Sequence, residues 1–179
     1  QWLIERLEEE AQKEHPEKLR YVLRDLAAES GAFAYEYTGY LANIHSVETY
    51  YQANIDMLDL HKFYSLFSPN QKIHTKVKNE EPTYYAPGCE VNTSQFASGS
   101  IVEGKVVRSV VSRNVQIHKD SLVKESIVFP RVVIGEGAQV EYAIIDKGAE
   151  VADGVVIRGT AENPVVIKKG EKVTEDILS

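Results

Sequence analysis

Small aliphatic residues recur every 17 positions between about Val91 and Val173. The positions between them are mostly Gly, Ser, Asn, Asp, Lys and Glu. The repeating columns are Val106, Val123, Val140 and Ile157; Val110, Ile127 and Ile144; Val111, Val128 and Ile145; Val115, Val132 and Ala149; and Ile117, Ile134 and Val151. A fixed step of this length predicts a solenoid, because no single repeat can bury its apolar side without its neighbours.

Within each step, apolar residues also recur six positions apart, as in Ile117 and Val123. The runs are short, rich in Val and Ile and interrupted by Gly, which is typical of strands. Three strands per turn, with about six residues per side, predict a parallel β-helix of hexapeptide repeats. An ordinary β-sandwich is the alternative, but sandwich strands do not keep a fixed step. Small residues are expected near the corners, such as Gly135, Gly137, Gly148 and Gly154.

The first 60 residues carry helical patterns instead. Helices are expected from Trp2 to about Glu14, from Leu19 to Ala28, and from Val47 to about Leu60 with Ser46 as the N-cap. Short strands are expected at Phe33–Tyr37 and Lys72–Val77. This part is interpreted as an incomplete α/β domain. Because the chain begins at Gln1 inside a helical pattern, an upstream part is expected to be missing. The expected domains are 1–60, a linker at 61–90, and 91–179.

Composition excludes several classes of protein. Of the 179 residues, 43% are hydrophobic and 26% are charged, as in a soluble globular protein. The net charge of −7 argues against a general nucleic-acid binder. The single cysteine, Cys89, excludes an intrachain disulfide and a multi-cysteine metal site. There is no apolar run of about 18 residues and no signal-peptide pattern, so a cytoplasmic protein without membrane contact is expected.

Two motifs in the first half carry a resemblance. The turn at 37–46 reads Y-T-G-Y-L-A-N-I-H-S, and the next helix contains A-N-I-D-M-L at 53–58. Followed by a β-helix, this order resembles the C-terminal part of bacterial glucose-1-phosphate adenylyltransferase (ADP-glucose pyrophosphorylase) over nearly the whole chain. The resemblance implies the C-terminal end of a nucleotidyltransferase-like, Rossmann-type α/β domain followed by a left-handed parallel β-helix.

The turn departs from that family where the family carries its chemistry. The family segment reads F-E-G-Y-W-x-D-V-G-T, so Gly39 and Tyr40 match, while Thr38 and Leu41 replace the acidic residue and the Trp. Asn43 replaces the Asp that helps to hold the catalytic Mg²⁺, and a neutral amide oxygen is a weaker ligand. His45 replaces the Gly beside the sugar phosphate, where only backbone leaves space. The degenerate sugar-phosphate and metal turn comprises Thr38, Gly39, Tyr40, Asn43, His45 and Ser46.

This degenerate turn is similar to that of the family's non-catalytic partner, the glycogen biosynthesis regulatory subunit. The resemblance implies a regulatory or structural subunit with little or no activity alone, in a hetero-oligomer, expected to be a tetramer, with a catalytic subunit that converts ATP and glucose 1-phosphate into ADP-glucose and pyrophosphate. No catalytic residue, metal or cofactor is assigned to this chain, and Mg²⁺ is expected in the catalytic partner. The alternatives are an active nucleotidyltransferase that tolerates Asn43 and, more remotely, a hexapeptide acyltransferase.

Other histidine and tyrosine side chains have both a functional and a structural interpretation. His45 could be a metal ligand or general base, but no second ligand stands at a suitable spacing. His118 lies at a hexapeptide corner, where acyltransferases sometimes place a catalytic His and where most histidines are simply solvated. A set of tyrosines could stack on nucleic acid, although packing in the first domain fits the acidic composition better: Tyr35, Tyr37, Tyr40, Tyr50 and Tyr51.

Basic residues on the predicted coils form a further candidate site. They are Arg108, Arg113, Lys124, Arg131 and Lys147. The plain interpretation is a solvated face. However, the segment I-I-D-K at 144–147 resembles the I-I-D-[KR] segment through which the adenylyltransferase family binds anionic effectors. This resemblance implies a sugar-phosphate or phosphate effector, or a partner, at Lys147 and its basic neighbours.

Overall fold

The computed structural model describes residues 2–68, 73–74 and 79–179. The chain divides into two compact units, Gln1–Thr38 and Gly39–Ser179. The domain limits expected from the sequence, after residues 60 and 90, stay a prediction. The strand predicted at Lys72–Val77 lies outside the described residues apart from Ile73 and His74. Across the described ranges, no helix is long and apolar enough to cross a membrane.

The first unit contains two amphipathic helices, α1 (Trp2–Ala11) and α2 (Leu19–Glu29). Val22 and Leu26 of α2 are buried, as their helical spacing indicates. The strand predicted at Phe33–Tyr37 is wrong, because these residues have no regular secondary structure. A strand needs a hydrogen-bonded neighbour, and the described part of this unit contains no other strand.

The second unit opens with helices: α3 (Val47–Ile55), a 3₁₀ turn (Asp56–Leu58) and α4 (Leu60–Leu66). Ser46 is the N-cap, as predicted: its Oγ accepts a hydrogen bond from the Thr49 amide at 3.1 Å. The prediction of a single helix to Leu60 is wrong. The Asp59 side chain accepts hydrogen bonds from the His61 and Lys62 amides, which caps a new helix at that point.

The rest of the unit is a parallel β-helix of three sheets. The first sheet comprises β1 (Tyr84–Tyr85), β4 (Ile101–Val102), β7 (Gln116–Ile117), β10 (Val133–Ile134), β13 (Glu150–Val151) and β16 (Lys172–Val173). The second comprises β2 (Glu90–Asn92), β5 (Lys105–Val107), β8 (Leu122–Lys124), β11 (Gln139–Glu141), β14 (Val156–Arg158) and β17 (Ile177–Leu178). The third comprises β3 (Gln95–Phe96), β6 (Val110–Val111), β9 (Ile127–Val128), β12 (Ala143–Ile145) and β15 (Val165–Ile167).

The predicted register is the observed one. Val123 pairs with Val106 on one side and with Val140 on the other, and Val140 pairs with Ile157. All four side chains are fully buried inside the coil. The prediction of a parallel β-helix of hexapeptide repeats is therefore confirmed.

The 17-residue step breaks at both ends of the coil. Glu90 pairs with Lys105, fifteen positions on, because the corner at Gly104 is two residues shorter than its neighbours. Glu150 pairs with Lys172, twenty-two positions on, because five extra residues at 160–164 enter a corner. Neither irregularity moves the inward columns, so the core continues through both.

The corners hold residues with left-handed backbone. Gly137, Gly148 and Gly154 have φ of 69°, 67° and 70°, which glycine adopts without a steric penalty. Equivalent corners carry side chains instead. The described non-glycine residues with positive φ are Thr93, Arg108, Asn114, Asp120, Glu125, Arg131 and Tyr142. Each of them lies between two strands, at a corner of the coil.

Candidate functional site

Helix α3 packs on the outer face of the third sheet. From β6 to β15 the outward residues of this sheet are apolar, and Tyr51 and Ile55 bury Ile127 and Ile144. The Tyr51 hydroxyl donates a 2.7 Å hydrogen bond to the backbone carbonyl of Glu125. Burial raises the pKa of the Tyr51 phenol, which keeps it protonated as a donor. The helix is therefore fixed to the coil by apolar contact and by one directed hydrogen bond.

Asp56 joins the turn before α3 to the helices after it. Its carboxylate accepts hydrogen bonds from the Tyr40 hydroxyl at 3.1 Å, from Gln52 at 2.9 Å and from the Lys62 ammonium at 2.6 Å. Burial raises the pKa of Asp56, but the hydrogen bonds from Lys62, Gln52 and Tyr40 outweigh it and hold the pKa below its usual range. A charged, half-buried carboxylate thus fixes the position of Tyr40.

Other residues that match the adenylyltransferase motif also make structural contacts. The Tyr40 amide donates to the Ser65 hydroxyl at 2.9 Å, which holds the turn against α4. The Asn54 side chain donates to the Tyr50 carbonyl at 2.8 Å within α3. The matching positions therefore build the scaffold around the turn.

The positions that depart from the motif are exposed. Thr38 ends the first unit, and Leu41 leaves 80% of its surface in solvent. The Nδ1 atom of His45 lies 3.2 Å from the carbonyl oxygen of Asn43. Because a carbonyl only accepts, this contact places a proton on Nδ1 and turns the ring back over the turn. The space that glycine would leave open is occupied here by imidazole.

An open groove lies between this turn and the third sheet, and we call it the turn groove. Its volume is about 630 Å³, within the range of small ligand sites. Most of its lining is apolar, and Asp146 is the one acidic residue among the described lining residues. The lining residues are Ile44, His45, Ser46, Val47, Tyr50, Phe129, Ile144, Asp146 and Val166.

The five basic candidates do not form one cluster. Arg108 pairs with Glu125 at 2.6 Å across neighbouring coils, and Lys124 pairs with Glu141 at 3.3 Å. Arg113 pairs with Glu80 at 3.3 Å. These three ion pairs neutralise most of the predicted site.

One corner nevertheless stacks several cations. The Arg131 amide donates to the Arg113 carbonyl, so these residues lie on successive coils of the corner that also holds Lys147. Arg131 and Lys147 are exposed and form no ion pair within residues 2–68, 73–74 and 79–179. Lys168 and Lys169 extend the same corner, since the Gly170 amide donates to the Lys147 carbonyl at 3.0 Å. Sequence reasoning missed this pair of lysines because the five-residue insertion hides their register.

The remaining candidates stand apart from the turn groove. The Nδ1 atom of His118 lies 3.4 Å from the Glu103 carboxylate at a partly exposed corner. Tyr50 and Tyr51 lie on α3 and pack against the third sheet, whereas Tyr35 is 90% exposed. In the described part of the chain, no three His, Cys, Asp or Glu side chains converge to hold a metal ion.

A family model described as "GlmU-like, C-terminal hexapeptide" matches residues 79–176, more than half of the chain. The chain belongs to this hexapeptide family. The match covers the coil from before β1 to just before β17, so the hexapeptide family accounts for the β-helix, including the third-sheet side of the turn groove, and leaves the turn and α3 outside its bounds.

Similar proteins extend the likeness beyond the hexapeptide region. The glycogen biosynthesis protein GlgD of Bacillus subtilis is 36% identical over 136 residues, which are 76% of this chain and 40% of that protein. The glucose-1-phosphate adenylyltransferase of Corynebacterium jeikeium is 32% identical over 137 residues, 74% of this chain and 34% of that enzyme. That of Bacillus mycoides is 31% identical over 140 residues, 77% and 37% respectively.

The chain thus spans two fifths or less of the length of these three relatives. The resemblance to the C-terminal part of the adenylyltransferase family, seen in the residues of the turn and of α3, is confirmed.

Proposed function

We propose that this chain serves glycogen biosynthesis as a regulatory and structural subunit of ADP-glucose pyrophosphorylase. In this proposal it assembles with a catalytic glucose-1-phosphate adenylyltransferase subunit, in a tetramer, and modulates the synthesis of ADP-glucose and pyrophosphate from ATP and glucose 1-phosphate. Its first 60 residues belong to a nucleotidyltransferase-like, Rossmann-type domain, and its β-helix is left-handed, as the resemblance implies.

One observation carries the proposal. Motif positions that match the family, such as Tyr40 and Asp56, are held in structural hydrogen bonds, whereas the departures Asn43 and His45 stand exposed at the turn. A catalytic pocket would be expected to keep the Asp that binds the metal and the Gly that leaves space for the sugar phosphate. Here only the residues that build the scaffold are kept. Asn43 offers a neutral oxygen to a metal, so Mg²⁺ is assigned to the catalytic partner.

The experiment measures ADP-glucose synthesis by this chain alone, by the catalytic subunit alone, and by the mixture. We expect activity only when the catalytic subunit is present, with kinetics altered by this chain. Asn43→Ala should leave the mixture unchanged, because the His45 contact uses the backbone of Asn43 and not its side chain. Strong activity of this chain alone, abolished by Asn43→Ala, would instead establish an active nucleotidyltransferase.

The cationic corner is proposed to bind the anionic effector. Arg131, Lys147, Lys168 and Lys169 are exposed there, and clustered cations favour phosphate groups. Lys147→Ala should weaken activation of the assembled enzyme by a sugar phosphate at least about tenfold, since a charged hydrogen bond contributes roughly 1.5–3 kcal/mol. The measurement is the half-saturating concentration of sugar phosphate. Lys119→Ala, an exposed lysine at another corner, is the matched control, and equal behaviour of the two variants would refute the site.

A further inference from the structure

The turn groove is mostly apolar, and its charged groups are few. Nine described side chains line it, and among them none is Lys or Arg, while Asp146 contributes a carboxylate. One oxygen of Asp146, Oδ1, accepts a 2.7 Å hydrogen bond from the Lys147 amide, which fixes the carboxyl group in place. The Lys147 side chain is not part of the lining. The groove therefore presents an oriented negative charge at an apolar wall.

Aromatic rings complete the chemistry of the groove. Tyr50 and Phe129 both line it, and each packs against the α3 cluster on the third sheet. A cation is attracted both by aromatic faces and by a carboxylate, and the attraction strengthens where water is partly excluded. This combination favours a ligand with a positive charge on an apolar stem.

The rim of the groove indicates which kind of ligand would carry the positive charge. Ile44, Val47 and Val166 leave 55%, 51% and 48% of their surfaces exposed. A small free cation would leave this apolar rim in water, whereas a side chain presented by an apolar segment of another chain would cover it. Arginine fits best, because its planar guanidinium can stack on an aromatic ring while it donates to a carboxylate.

We propose that the turn groove receives an arginine side chain from an apolar segment of a partner chain. The identity of that partner as the catalytic subunit rests on the function proposed above, whereas the preference of the groove for a guanidinium group does not.

The first test needs no partner. The protein is titrated with N-acetyl-arginine amide and with its uncharged counterpart N-acetyl-citrulline amide, and the methyl resonances of Ile144 and Val166 are followed by NMR. We expect saturable shifts with the arginine compound only, and at least about tenfold weaker binding in Asp146→Asn. This substitution keeps the oxygen that accepts from the Lys147 amide. Asp153→Asn is the matched control, because Asp153 accepts from the Glu136 amide at 2.8 Å at a corner outside the groove.

The second test follows assembly with the catalytic subunit by sedimentation. Asp146→Asn should weaken the complex at least about tenfold, whereas Asp153→Asn should not. Equal effects of the two variants, or equal binding of the arginine and citrulline compounds, would overturn the proposal. Loss of self-association in Asp146→Asn would assign the groove to a second copy of this chain and would also overturn it. If the arginine compound binds but the catalytic subunit does not, the groove chemistry stands and the proposed function fails.

Discussion

Tyr51→Ala is expected to detach α3 from the coil while the coil itself stays folded. Removing a buried aromatic side chain costs about 3–5 kcal/mol, and the hydrogen bond to the Glu125 carbonyl is lost as well. The buried cluster under α3 shares no residue with the buried core inside the coil, so the loss should remain local. Native-state hydrogen exchange should show the α3 amides exchanging at least about a hundredfold faster, with the β-strand amides unchanged.

Tyr51→Phe separates the hydrogen bond from the packing. It keeps the ring and removes only the hydroxyl, so the expected cost is about 1 kcal/mol, or roughly fivefold faster exchange in α3. Equal exchange rates in the two variants would show that the ring does not hold the helix. Equal loss of protection in the β-strands would show that α3 and the coil unfold together, contrary to the division into two clusters.

Gly135→Ala is expected to destabilise the coil by about 3 kcal/mol, at the upper end of overpacking effects. A Cβ atom at Gly135 would lie 2.6 Å from the Asp153 amide nitrogen and 2.7 Å from the Ala152 carbonyl carbon, both in the next coil. That backbone cannot move away easily, because the Gly135 amide donates to the Val151 carbonyl at 2.8 Å. Urea unfolding followed by circular dichroism measures the change.

Gly137→Ala is the matched control, two residues further along the same corner. A Cβ atom there would have no neighbour within 4 Å, but the φ of 69° is strained for alanine. The expected cost is about 1 kcal/mol from the backbone alone. If Gly137→Ala proved as destabilising as Gly135→Ala, the close approach of the two coils at Gly135 would not be the cause.

The inward columns could be predicted because burial imposes a strict period on them. Four of the five 17-residue columns face inward, as for Val115 and Val132. The column of Val110, Ile127 and Ile144 was also expected to face inward, but it faces outward, and α3 covers Ile127 and Ile144. The shorter corner at Gly104 and the insertion at 160–164 were missed, because a loop can change length without changing the residues that face inward. From the sequence alone, Gly135 and Gly137 were also treated alike, as corner residues. In the structure, glycine is required at Gly135 by close contact with the next coil and at Gly137 by the positive φ.

The helical region was predicted less well, since tertiary contacts decide it. A continuous helix from Val47 to Leu60 satisfies the local pattern, but Asp59 caps a second helix and Asp56 turns to accept three hydrogen bonds. The alternating aromatic residues at Phe33–Tyr37 resemble a strand, yet no described neighbour pairs with them.

The turn of the candidate site could be located from the sequence, but the residues that contact it or pair with it could not. The departures at Asn43 and His45 were visible in the motif. The turn groove was not, because it lies between the turn and residues such as Ile144 and Val166, which are about a hundred positions away in the sequence. Ion pairing was equally hidden: Arg108 and Lys124 looked available until the next coil supplied Glu125 and Glu141.

The corner residues with left-handed backbone place side chains at regular intervals along the coil. Successive coils are about 4.8 Å apart, so equivalent corner residues project in rows with the spacing of paired strands. Glu125 and Tyr142 occupy one such row without entering the buried core of the coil. A substitution at these positions can therefore change what the surface recognises while the aliphatic interior keeps the same packing. The corner rows therefore hold surface side chains at a fixed spacing, and a new binding surface can arise there by substitution of one residue at a time.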